Sequence, residues 1–351
     1  MIVRVLQSRL ARQAWTPLAL ALALTCAGSA SAAAAGAAAA SAAESPILGA
    51  AGTAMWWGDF AALEKQNAEL KRPGHLDEDG ASQIEFFRTG VNRSLKGHRT
   101  EGEAYFKEMD ALTLGWAQEH PQSAFAHILH AEALLAHAWS YRGGGFAKDV
   151  PPAAWKDFND YLRRAVAYLG AHADVALTDS HAHLLLLQAG RALGWTQPQL
   201  DAIRREGLKR NPEDVGLYFE MLSSVLPRWG GNPRALDDYI KSVVEETRAQ
   251  YGTGFYARLY ASAAESEFGH ALFENSHADW PTMKQAYEDM FARYPNSPKR
   301  RNNYAYMACL AKDKETLLRL LGEIGKDAIA AQWGPNGERS LEGCRRWAGQ
   351  L

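Results

Sequence analysis

Apolar residues recur at steps of three and four from Ile47 onward, the spacing that lines up one face of a helix. Trp155, Phe158, Leu162, Ala165, Val166 and Leu169 form one such stripe. Met283, Ala286, Tyr287, Met290, Phe291 and Tyr294 form a second, and Leu317, Leu318, Leu321 and Ile324 a third. Two further segments, residues 124–139 and 181–193, are apolar nearly all round. A helix without a polar face has to be enclosed by neighbours. No run alternates apolar and polar residues as a half-buried strand does, and no Asn-Gly turn lies between β-rich runs. The pattern predicts an all-α protein with no β-sheet.

The stripes are punctuated in a recurring way. Trp116-Ala-Gln-Glu-His-Pro121, Leu208-Lys-Arg-Asn-Pro212 and Phe291-Ala-Arg-Tyr-Pro295 each end one helix on an apolar residue and open a polar turn with proline. Proline lacks an N–H and stops the first helix, while its fixed φ suits the start of the next. Two more turns, at His172-Ala-Asp174 and Gln250-Tyr-Gly252, lack the proline. The five lie about 40–50 residues apart, a spacing that suits two-helix units. In this the chain resembles tetratricopeptide-type repeats, with Leu208 to Pro212 similar to the junction between two units. It also resembles a bacterial family known as domain of unknown function 4034, through Leu226-Pro-Arg-Trp-Gly-Gly231, Phe291 to Cys309, and Trp333 to Trp347. Both resemblances imply a stack of helical hairpins, and the second implies no activity.

The beginning of the chain has another character. Arg4, Arg9 and Arg12 precede the apolar run Leu18 to Thr25, and Ala30-Ser31-Ala32 supplies a small-x-small cleavage pattern. These are the three parts of a secretory signal, too short in its apolar core to span a bilayer. Residues 33–45 are almost pure alanine. The expected organisation is a signal peptide over 1–32, a disordered tether over 33–45 and a helical repeat domain over 46–351. The mature protein is expected in the periplasm or secreted, with no transmembrane segment. Loss of the leader removes Cys26 and leaves Cys309 and Cys344 of the three cysteines. An even count in an oxidising compartment favours a disulfide between them, the alternative being two buried thiols. The net charge is -2 over 351 residues, which offers no basic field for nucleic acid.

Candidate chemistry is sparse. His127, His130 and His137 fall on one arc of a helix, as zinc ligands would, but without a His-Glu-x-x-His pattern. Helix histidines without a metal are the preferred reading. Ala264-Glu265-Ser-Glu-Phe268 resembles the segment around the catalytic glutamate of lytic transglycosylases. No Gly-Leu-Met-Gln follows, and a four-residue match arises by chance. The glycine-rich junctions containing Arg142 and Gly143, and Arg228 and Trp229, offer backbone N–H groups beside arginine. They suit a carboxylate or phosphate, although helix capping accounts for them more simply. Trp56 and Trp57 are candidate stacking residues, and Trp56, Phe60 and Leu63 fit one helix face. Lys299-Arg300-Arg301 is read as a solvated helix face. The function expected is a periplasmic scaffold that binds another protein or a peptide, with no cofactor and no catalytic residue assigned. The alternatives are a glycan-cleaving envelope enzyme or a structural subunit of an envelope complex.

Overall fold

The structure, a computed structural model, describes residues 45–77, 79–96, 102–145 and 147–350. The leader expected over 1–32 and all but Ser45 of the alanine tract lie outside them. Among the described residues the regular elements are helical, apart from one isolated antiparallel bridge between Leu76 and Ser82. None of these helices is long and apolar enough to cross a membrane. Backbone contacts divide the chain into two compact units. One holds Gly52–Lys65 and Val91–Asp214, the other residues 45–51, Gln66–Gly90 and Val215–Leu351. Helices α1 (Pro46–Trp56), α2 (Phe60–Leu70) and α3 (Gln83–Lys96) have residues in both.

The first unit is built on α4 (Gly102–Glu119), α5 (Ala124–Arg142), α6 (Ala154–Ala171), α7 (Ser180–Ala192) and α8 (Gln197–Arg210). Consecutive helices pack in pairs, α4 on α5, α5 on α6 and α7 on α8, and α7 also meets α5. Helix α5 starts where Ser123, in extended backbone, accepts a hydrogen bond from the Ala126 N–H at 3.0 Å. It ends at Gly143, whose φ of 68° places it in the left-handed half of the map. Every residue from Phe125 to Ala138 is buried, as a helix enclosed by neighbours requires. In α6 the predicted stripe is the buried one, from Phe158 through Leu162, Ala165 and Val166 to Leu169. Each such Leu, Val or Phe contributes about 1.5–3 kcal/mol on full burial.

The second unit contains α9 (Gly216–Ser223), α10 (Pro233–Tyr251), α11 (Gly254–Ala263), α12 (Trp280–Arg293), α13 (Pro298–Leu310), α14 (Lys314–Ile324) and α15 (Gly337–Ala348). Four of these open the same way. Asn232, Asp279, Ser297 and Asp313 each accept a backbone N–H three residues on, and proline occupies the first turn after the first three. In α14 Leu320 is buried with Leu317, Leu321 and Ile324, while Leu318 is half-buried. At 100° per residue, position 318 lies to the side of the stripe that the other four define. All five predicted turns fall at helix ends, although Ala173 and Asp174 form part of a four-residue helix, Ala173–Ala176, and α10 runs on to Tyr251.

Cys309 on α13 is bonded to Cys344 on α15. The same stretch of α13 is pinned by Trp333, fully buried, whose indole N–H donates to Asn302 Oδ1 at 3.0 Å. The bond closes a loop with a sequence separation of 35. Reduction is expected to cost roughly 3–4 kcal/mol in the chain-entropy model, read as a lower urea midpoint with reductant present. An unchanged midpoint would show that the bond leaves stability to the surrounding packing.

Candidate functional site

The residues singled out in the sequence occupy separate places. Trp56 ends α1 and Trp57 follows it, and their side chains are 58% and 77% exposed. The single helix face expected for Trp56, Phe60 and Leu63 is not formed. Gly58 adopts a left-handed φ of 66°, and Asp59 Oδ1 accepts the Ala62 N–H at 3.0 Å, so a new helix begins at Phe60. Phe60 and Leu63 are buried and Trp56 is not. In the first unit Arg142 turns back on its own loop, donating to the Gly143 and Gly145 carbonyls at 3.1 Å each. Its guanidinium also lies over the Trp139 and Trp155 rings. In the second unit Arg228 Nε donates to Glu267 Oε2 at 2.9 Å, and Trp229 closes a short 3-10 turn that ends on left-handed Gly230.

The three histidines of α5 are buried, each with its own partners. His127 sits between the Tyr168 hydroxyl, 2.8 Å from Nδ1, and the Pro121 carbonyl, 3.0 Å from Nε2. A carbonyl only accepts, so Nε2 carries the hydrogen and Nδ1 accepts from Tyr168. His130 Nδ1 meets Thr113 Oγ1 at 3.0 Å. His137 spans two carboxylates, with Nδ1 3.1 Å from Asp110 Oδ2 and Nε2 3.1 Å from Glu103 Oε2. The described residues hold no group of three or more His, Cys, Asp or Glu placed to grip a metal ion.

These partners make the first unit sensitive to acid. Burial pushes the His130 imidazole down to about 4, with Asp110 opposing and Arg164, His127 and His172 reinforcing. The unfolded chain therefore takes up a proton near pH 6.5 that the folded protein refuses until about pH 4. Stability present above this window is lost as pH falls through it, by about 3 kcal/mol for this group alone. Burial works against ionisation of Glu103, yet hydrogen bonds from Tyr141, His137 and Lys107 hold its carboxyl at about 2, so its contribution is lost below pH 4.5. Denaturant midpoints measured across this range should fall on acidification, and less steeply for His130→Gln.

A different constellation emerges in the second unit, where α3, α9, α11, α12, α13 and the 3-10 turn Ala330–Gln332 line a half-open cavity of about 420 Å³. That volume lies in the range of small-molecule sites, about 300–1,000 Å³. Its apolar wall is aromatic and sulfur-rich, from Phe86, Phe219, Tyr287, Met290 and Met307. Its charged groups are Arg258, Lys299, Arg300 and one carboxylate, Glu265, and Ser262, Asn303, Tyr306 and Gln332 add neutral polar groups.

The cations on α13 are placed by the loop before α3. Asp77 Oδ1 accepts the N–H groups of Asp79 and Ala81, closing a tight turn at Gly80. Gly80 has a φ of 68°, and a Cβ there would lie 2.3 Å from the Tyr294 ring, so no side chain fits. The turn aims Asp79 at the start of α13. Ser297 Oγ donates to Asp79 Oδ1, Lys299 Nζ lies 3.1 Å from Oδ2, and Arg300 Nε donates to the Asp79 carbonyl at 2.7 Å. Lys299 and Arg300 thus belong to the cavity wall, and the solvated helix face expected for this basic run is not what forms. Burial lowers the Arg300 guanidinium from its ordinary range, with Asp79 opposing.

Arg258 is held differently. Its guanidinium lies over the Phe255 ring at 4.6 Å and the Phe219 ring at 5.3 Å. Among the described residues it has neither a hydrogen bond nor an ion pair. It is half-buried, and the cavity leaves it partly accessible. Burial, then the like charge of Arg300, push it down to about 10, and at neutral pH it remains a cation. Asn303 Oδ1 accepts from the Tyr287 hydroxyl at 2.6 Å, which leaves its amide N–H groups for the cavity.

Glu265 projects from the π-helical turn Ala264–Phe268 that continues α11, a geometry common at functional sites. Burial raises its carboxyl above the ordinary range. Chemically, the cavity pairs an aromatic wall with an uncompensated guanidinium, a setting suited to an organic anion. Sequence reasoning missed Arg258, although one signal was present: it is the single charged residue in the ten of α11. No protein-family model, curated protein or solved structure matches this chain.

Proposed function

We propose that this chain is an exported ligand-binding protein whose site is the cavity of the second unit, and that the ligand is an organic acid or the acidic end of a peptide. The observation that carries this is Arg258. A half-buried cation without a counter-charge bears part of the desolvation cost of a buried one, and an incoming carboxylate recovers it. Its stacking on Phe255 and Phe219 fixes the plane of the guanidinium, so both N–H edges are preorganised for a bidentate contact. The rings and methionines of the wall suit an apolar body behind the acid group.

Export is supported by the three-part leader and by a disulfide of the kind that oxidising compartments sustain. Consecutive helix pairs separated by proline-marked turns support a stack of helical hairpins of the tetratricopeptide type. The test uses two probes with the same phenyl body and opposite charge. 3-Phenylpropionate is expected to raise the melting temperature and to bind in calorimetry, whereas phenethylamine does neither. Equal binding of both, or of the amine alone, would overturn the proposal.

Glycan cleavage is the second reading, favoured by a half-buried Glu265 whose carboxyl is raised by burial. The lytic transglycosylases that this segment resembles work with a single glutamate, but the Gly-Leu-Met-Gln that completes their signature does not follow Glu265. A two-carboxylate glycosidase would need a partner acid that the described residues lining this cavity do not supply. On a peptidoglycan zymogram, wild type and Glu265→Gln are therefore expected to look alike. A clearing zone lost only in the variant would establish the enzyme.

A further inference from the structure

Glu265 is the group in the cavity that binding of an anion leaves unexplained. A carboxylate there would repel a bound acid, yet the side chain is half-buried and has neither a hydrogen bond nor an ion pair among the described residues. Positions 258 and 265 are seven apart on a helix that runs on into the π-helical turn, so both point to one face. Seven residues span about 10 Å of helix axis, a separation that two long side chains can halve by leaning together. A ligand touching both must carry a second polar group several ångströms from its acid.

The charges facing Glu265 decide what that group is. Arg258 stands on α11, and Lys299 and Arg300 on α13, the latter two already engaged with Asp79. Tyr287 on α12 donates to Asn303, and Tyr306 on α13 meets His270 Nδ1 at 3.2 Å. On its own turn Glu267 is paired with Arg228, and Glu274 on Leu272–Asn275 lies 3.9 Å from Lys312. With the ligand's carboxylate on Arg258, a neutral Glu265 avoids repulsion and has a proton to donate. Burial of its carboxyl acts in the same direction. The complement of a carboxylic acid donor is an uncharged acceptor, and in small acids of this shape the amide carbonyl provides one.

We propose, resting on the organic-acid reading above, that the cavity recognises an N-acylated amino-acid terminus with a large apolar side chain. Arg258 takes the carboxylate, the Glu265 carboxylic acid donates to the amide carbonyl, and the side chain lies against Phe86, Phe219 and Met290. A free acyl amino acid and the C-terminus of a peptide share this chemistry.

The experiment is calorimetric titration of the full mature protein with 3-phenylpropionate, N-acetyl-phenylalanine, free phenylalanine and the tripeptide glycyl-glycyl-phenylalanine. One added hydrogen bond predicts that N-acetyl-phenylalanine binds about tenfold tighter than 3-phenylpropionate at acidic pH. The advantage is present while Glu265 is protonated and weakens as pH rises through its raised value, so it should be smaller at alkaline than at acidic pH. Glu265→Gln, which still donates, keeps the advantage at both pH values, and Glu265→Ala loses it at both. A His270→Gln control separates the imidazole behind Tyr306 from Glu265. Equal affinity for the two acids at both pH values would overturn the inference while leaving the organic-acid reading intact. So would tighter binding of free phenylalanine, whose ammonium needs a charged Glu265, or an undiminished advantage in Glu265→Ala. If neither acid binds, both proposals fall. Tripeptide affinity equal to that of N-acetyl-phenylalanine identifies peptide termini as the source; much weaker tripeptide affinity identifies the free acyl amino acid.

Discussion

Arg258→Met is expected to weaken 3-phenylpropionate binding by about 100-fold or more while leaving the unliganded protein as stable as before, or more so. Truncating one partner of a desolvated charge pair costs about 2–5 kcal/mol, which is roughly 30- to 5,000-fold in affinity. Stability moves the other way for two reasons visible in the structure. The guanidinium has no carboxylate to lose, and its like charge faces Arg300 across the cavity. Methionine fills a similar channel against Phe255 and Phe219 and retains soft contact with both rings. A gain on the order of 1 kcal/mol is expected when a buried charge gives way to an apolar side chain of similar size. Arg258→Lys should fall between, keeping the charge and losing the planar fork. Calorimetry and thermal unfolding of the three proteins check both halves. A strongly destabilised Arg258→Met would assign the residue to the core, and undiminished binding would remove it from the site.

His137→Leu is expected to have the largest effect on folding, about 3–5 kcal/mol lost at neutral pH. The ring is completely buried, stacked near Phe106, Tyr141 and Tyr161, with a carboxylate at each nitrogen. Each ring nitrogen lies within hydrogen-bond distance of a carboxylate, so the one side chain ties the two acids of α4 together. Leucine fills part of the volume and leaves Asp110, itself buried, without its imidazole partner and with the longer contact to Arg164, at 3.8 Å. The second substitution Asp110→Asn should return more than half of the loss, because an amide is far less costly to leave there than an ion. Urea unfolding of wild type, each single variant and the double variant gives the coupling. Simple additivity would show that the loss comes from packing of the ring.

Much of the fold was legible, for a physical reason. Helix ends are decided locally, by a capping side chain, a proline or a left-handed glycine, and all three sit in the sequence at Ser123, Pro298 and Gly252. The buried stripe of α6 was legible because it depends on spacing alone. The break at Gly58 was missed because Trp56, Phe60 and Leu63 also fit a continuous helix, and periodicity cannot see a cap inside a matching stripe. The site was hidden more deeply. Arg258, Lys299 and Phe86 are distant in sequence and converge only through packing, and the turn that seats Lys299 lies more than two hundred residues before it. A run of three basic residues looks like solvated charge until Asp79 is brought to it.

The enclosed stretch of α5 has a consequence of another sort. A helix that is apolar all round buries the same area whichever way it is rotated, so hydrophobic matching alone would leave several orientations nearly degenerate. The polar side chains on α5 break that degeneracy. His127 fits one tyrosine and one carbonyl, His130 one threonine, Glu132 one asparagine on α3 and one histidine on α7, and His137 two acids on α4. A turn of 100° would unseat all four at once. They act as the wards of a key, giving this enclosed helix a single azimuth and a single depth.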